Sequence, residues 1–142
     1  MASDREQIIQ AVVALVTAAA PSAVVERNTE MPLRPGGGAL IIVRDGDVGD
    51  PEITLSPLTY TYGHAIRVEA LVEAPGDTRF AVLDNLLTPI GAAIEADRTL
   101  GGLANWVEPT PPDSDDAVAP NAQPLRWAAF DIVVNYTTFS PL

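Results

Sequence analysis

The side chains able to do chemistry in this sequence are one histidine, two groups of aspartates, a glycine run and two tryptophans. An imidazole in catalysis needs a nucleophile beside it and a carboxylate to orient it. No serine or threonine stands in a nucleophile-elbow context, and cysteine is absent. His64 lies in an alternating apolar stretch beside Tyr62 and Ile66, so a packed or interface histidine fits it better than a catalytic one. Asp45, Asp47 and Asp50 resemble a cation loop, but an EF-hand ends in glutamate at its twelfth position. Counted from Asp45, that position is Ser56, so a turn is expected instead. Asp113, Asp115 and Asp116 fall in a proline-rich stretch and read as a solvated charge patch.

The run Pro35-Gly36-Gly37-Gly38 lacks the lysine of a phosphate loop and precedes a strand rather than a helix, so it reads as a connector. Trp106 and Trp127 bring large apolar area, which suits a core or a subunit interface. No catalytic residue, cofactor site or metal site is expected, and the chain reads as an assembly part rather than an enzyme. The competing class is a small ligand-binding or acyl-CoA-processing enzyme. That class needs a deep pocket and a basic site for the CoA phosphates, and the sequence offers no arginine cluster to supply one.

Composition narrows the setting. The 142 residues suit a single domain spanning 1–142 that buries its own core. The hydrophobic fraction is 47% and mean hydropathy is +0.16, so a folded chain is expected despite a net charge of -11. No apolar run approaches the ~20 residues of a membrane helix, and Asp4 and Glu6 flank the most apolar segment where a signal peptide would be basic. Without cysteine there is neither disulfide nor thiolate zinc site, and synthesis and assembly in a cytoplasm are expected. A pI near 4.2 disfavours adhesion to nucleic acid.

These residues must be held by elements that the pattern predicts. Ser3 and Glu6 have capping-box spacing, and Ile8, Ile9, Val12, Val13, Leu15, Val16, Ala19 and Ala20 recur at helical intervals before Pro21. Short strands are expected at Ala23-Val24-Val25-Glu26 and Leu40-Ile41-Ile42-Val43, the second closed by a turn at Asp45-Gly46-Asp47. From Tyr60 the alternation is clean: Tyr60, Tyr62, His64, Ile66, Val68, Ala70 and Val72 share one face. Such a strand reaches about 45 Å, long enough to bend at Gly63 or to project toward a neighbour. Phe80, Leu83, Leu87, Ile90 and Ile94 mark a second amphipathic helix, with a kink or a break expected at Pro89. A strand around Trp106 and Val107 follows, then a proline-rich acidic loop over 109–124 and a closing strand from Leu125 to Thr138. The fold class is α+β, an antiparallel or mixed β-sheet with two helices packed on one face.

Two stretches resemble a known family. Val25-Glu26-Arg27-Asn28 with Ala39 to Asp47, and Asp97-Arg98-Thr99-Leu100-Gly101-Gly102-Leu103 with Trp106-Val107-Glu108-Pro109 and the final strand, are similar to the tail terminators or minor tail protein U group of siphophages and prophages. The resemblance spans nearly the whole chain and implies a homo-hexameric ring on the last ring of the tail tube. It implies a virion protein at the head-proximal end of the tail, assembled in the bacterial cytoplasm, whose partners are itself, the tail-tube protein and the head–tail connector protein. DNA would pass through the lumen without specific binding, repelled by its acids. A tail-completion or head–tail connector protein is the alternative within the same class. Subunit contacts are expected from Tyr60, Tyr62, His64 and Arg67 on the long strand and from Met31, Pro32, Leu33 and Arg34 in the loop before the glycine run.

Overall fold

The computed structural model describes residues 1–35, 38–117 and 124–142. Helix α1 (Asp4–Ala19) starts where expected, with the Ser3 hydroxyl accepting from the Glu6 N–H at 3.2 Å. The Glu6 carboxylate completes no capping box. It is drawn instead into a bidentate pair with Arg27, at 2.6 and 2.9 Å. Strand β1 (Val24–Arg27) runs parallel to β2 (Ala39–Asp47), which is antiparallel to the 16-residue β4 (Leu58–Glu73). Strand β3 (Glu52–Leu55) forms a hairpin with the start of β4. Helix α2 (Thr78–Ala96) follows, then β5 (Trp106–Pro109), β6 (Asp113–Ala117) and β7 (Leu125–Thr138).

The seven strands form one mixed sheet in the order β1-β2-β4-β7-β5, with β3 on β4 and β6 on β7. Its spine is the β4–β7 ladder, unbroken from Tyr60 opposite Thr138 to Glu73 opposite Leu125. Both helices pack on one face, where Ile8, Val12 and Val16 of α1 and Leu83, Ile90 and Ile94 of α2 meet Val43, Ile66, Val68, Ile132 and Val134. Each apolar side chain fully buried there contributes roughly 1.5–3 kcal/mol, so this two-layer core is the main source of stability. The expected fold class is the one observed.

Three local expectations are corrected, and one strand is added. The Asp45-Gly46-Asp47 segment does not turn β2 back. The register slips from Arg44 opposite Arg67 to Asp47 opposite Ala65, a bulge with Gly46 at φ 69°. Pro89 neither breaks nor splits α2, which carries it within one continuous helix. The lost amide bond falls on the solvent side, with Asn85 and Pro89 both exposed, where water can serve the carbonyl. The proline-rich acidic stretch is not all loop, because Asp113–Ala117 forms β6 against β7. The remainder of that stretch at 118–123, like Gly36 and Gly37, lies outside the described residues. Finally, β3 adds an element that the sequence pattern did not reveal.

Candidate assembly surfaces

The structure gives the residues considered for chemistry different settings, His64 in the core and Asp47 and Asp50 at the surface. His64 is fully buried on the helix-covered face, with its ring 6.4 Å from that of Tyr136. Nε2 donates to the Asp45 carbonyl, and burial holds the imidazole pKa below its ordinary value. Asp45 accepts from Arg27 and Asn28, each at 2.9 Å, and Arg27 first of all holds its carboxyl low. Asp47 accepts from the Gly49 amide at 2.9 Å. Among the described residues no group of three histidines or carboxylates is spaced for a metal ion.

One charged cluster went unseen in the sequence. Arg79 at the start of α2 and Arg126 on β7 lie 4.3 and 4.8 Å from the Phe80 ring centre, and both pair with Asp116 of β6. The Arg79 guanidinium, above all, brings the Asp116 carboxyl down to about 2. Asp116 sits between them and Asp77 lies 3.8 Å from Arg79, so two carboxylates balance the two guanidiniums and the cluster is a latch joining β6 to α2 rather than an anion site. Only proximity in space reveals it, since Arg79 and Asp116 are far apart in the chain.

The remaining surface carries a groove on one sheet face and an apolar hairpin. On the uncovered sheet face, Met31, Pro32 and Leu33 fold over the half of the sheet bearing Leu71 and Trp127, with Arg67 and Glu69 at its border. They enclose a groove of ≈ 400 Å³. The structure thus joins four of the residues expected at an interface, Met31, Pro32, Leu33 and Arg67. Arg34 lines an adjoining groove with Glu26 and Glu30. Tyr62 and His64, expected at a subunit contact, are 8% and 0% exposed and lie in the core of the chain. Tyr60 is half-buried at the edge of that core. Period-two alternation identified their shared face, but the helices cover it.

At the opposite end of β4 the helix layer stops. Asp4, the first residue of α1, accepts from the Thr138 hydroxyl at 2.5 Å, and Thr138 is the cross-strand partner of Tyr60. The β3–β4 hairpin continues past that row. Ile53 lies opposite Tyr60, and Leu55 opposite Leu58, so all four share the helix-side face. With no helix above them, Ile53, Leu55 and Leu58 are 55%, 80% and 46% exposed. Trp106 is also exposed at the sheet edge, held by its Nε1–H to Glu108 at 2.9 Å and by the Arg98 guanidinium 4.8 Å from its ring centre. A large aromatic fixed in place before contact loses little entropy on binding.

No family model matches the chain, and no curated protein matches it. Among solved structures it is similar to a chain described as "Virion of native gene transfer agent (GTA) particle". The identity is 14%, the match covers 92% of this chain and 91% of the other, and the TM-score is 0.37. A score of that size is too low to carry a fold or a function from one chain to the other.

Proposed function

We propose that this chain is a structural, non-catalytic subunit of a phage-type particle: a tail terminator. It closes into a ring on the last ring of the tail tube, stops tube growth and offers the surface that joins the head connector. The observation that carries this reading is the β3–β4 hairpin, which extends an apolar face beyond its own helix layer. A monomer gains nothing by holding isoleucine and leucines in water, whereas a subunit that lays them on a neighbour buries them. The similarity of Val25 to Asn28, Ala39 to Asp47, Asp97 to Leu103, Trp106 to Pro109 and the final strand to tail terminators supports the same reading. So does the arrangement of surfaces: contact features at both ends of one long sheet suit head-to-tail association, which closes into a ring when the rotation per subunit closes.

The test is the mass of the purified chain by light scattering over a concentration series, alone and with tube protein. A hexamer, alone or at the ends of tubes whose growth it arrests, is the expected result. A chain that stays at its 15.0 kDa monomer mass and leaves tube lengths unchanged at every concentration overturns the reading. Arrest of tubes separates the terminator from a connector protein, which binds the portal-side ring instead.

A further inference from the structure

The hairpin tip and the groove complement each other in apolar character and in charge. Resting on the ring reading above, we propose that the β3–β4 hairpin of one copy seats in the groove of the next copy, beneath its Met31–Leu33 segment.

Intramolecular docking is excluded by distance and by face. Leu58 at the tip and Leu71 at the groove are separated by 13 steps of β4, about 43 Å at 3.3 Å per residue. Ile53 and Leu55 lie on the helix-side face, whereas Arg67, Glu69 and Leu71 bordering the groove alternate to the other. One molecule therefore cannot fill its own groove, and a second copy can. The contact joins two different surfaces, so it is heterologous and repeats from copy to copy.

The chemistry matches. The tip brings Ile53, Leu55 and Leu58, and the groove offers Leu33, 93% exposed, and the half-buried Trp127 beside the buried Leu71. On the segment leading into the hairpin, Asp47, Asp50 and Glu52 have no ion pair among the described residues. Arg67 borders the groove, with Arg44 opposite it on β2 and Arg34 in the adjoining groove, three of the eight arginines in a chain of net charge -11. There a single carboxylate, Glu69, serves both Arg44 and Arg67, the latter at 3.6 Å, and Arg67 keeps 49% of its side chain exposed. Arg67 is the cation left with spare capacity, and the neighbour's Glu52 and Asp50 are the acids without partners.

The absence of native cysteine makes the test clean. Two full-length variants, Leu55→Cys carrying a size tag and Leu33→Cys without one, are mixed and treated with a short bismaleimide. Both positions are exposed, so the fold is retained, and circular dichroism checks that it is. The expected product is the mixed dimer, at least several-fold in excess of either self-dimer. The double variant gives a ladder ending at the full ring. Charge reversal supplies a second reading: Glu52→Arg lowers the assembled mass toward the monomer, and adding Arg67→Glu restores it. If light scattering finds a ring while mixed dimers do not exceed self-dimers, the hairpin contact is wrong and the ring stands. If every sample is monomeric, alone and with tubes, the ring reading falls and the contact with it.

Discussion

Nε2 of His64 donates to the main-chain carbonyl of Asp45 at the bulge of β2, while Nδ1 of the same ring is buried with no partner among the described residues. A neutral imidazole fits this arrangement, because a proton on Nδ1 would have no acceptor. Burial lowers the folded-state pKa most, Arg5 adds to that, and the Asp45 carbonyl and the Asp45 and Asp47 carboxylates oppose it. The sign follows directly. The unfolded chain takes up the proton first as pH falls through about 6.5, so the stability is present above that value and is lost below it. The loss is limited to about 1.4 kcal/mol per pH unit for one proton. Urea midpoints at pH 7.5 and 5.5 should fall for the native chain and change little for His64→Leu. His64 is the only histidine, so equal falls in both proteins would defeat the assignment.

Gly46 tests the bulge itself. A Cβ at this position would sit 1.9 Å from the Ala65 carbonyl oxygen, which belongs to the opposing backbone and cannot move aside, and φ is 69°. Gly46→Ala should therefore cost about 3 kcal/mol or more, adding a steric clash to backbone strain. Gly49, at φ 71° with nothing within 4 Å, is the matched control. Gly49→Ala meets the conformational term alone, about 1–2 kcal/mol. Denaturant midpoints of the two variants should separate clearly, and equal losses would show that the close approach is not what matters.

Pro89 should be the opposite case. The Asn85 carbonyl loses its amide partner on the exposed side of α2, while Leu86 and Ile90 keep the inner stripe buried. Pro89→Ala restores the bond and relieves an unfavourable helix residue, with an expected gain of about 1–3 kcal/mol. Urea unfolding should show a higher midpoint at an unchanged slope. A loss of stability would mean that the core depends on a bend set by the proline.

The elements with strong periodicity were legible, and those made by their neighbours were not. Ile8 to Ala20 and Phe80 to Ile94 announce their helices, and Tyr60 to Val72 announces its strand, because each buries one face throughout. Asp113–Ala117 has a poor strand composition and becomes β6 only because the edge of β7 at Leu125–Ala129 pairs with it. Glu52–Leu55 has four residues, all exposed, and so left no burial pattern to read. Asp45-Gly46 carries a turn signal, but a bulge uses the same glycine freedom without reversing the chain. Of the expected contact residues, Met31, Pro32, Leu33 and Arg67 gather at one groove, whereas Tyr62 and His64 are core. Alternation tells which residues share a face. Whether a helix lies on that face depends on tertiary packing.

The arginines decide how the chain should meet DNA. Seven of the eight, all but Arg5, are within ion-pair distance of an aspartate or glutamate. Several of those guanidiniums are fixed by more than one contact: Arg27 holds both Glu6 and Asp45, and Arg98 holds Glu108 and the Val107 carbonyl. A phosphate would have to displace a carboxylate already in place, against the field of a chain at -11. Counterion release, which drives non-specific binding, needs free cations and finds few here. The expected outcome is no retardation of duplex DNA in a gel at about 50 mM salt, where cationic proteins bind strongly, for monomer and assembled ring alike. Retardation that weakens as salt rises would reveal phosphate contacts, and its slope would count them. In that event the chain would grip DNA rather than let it pass.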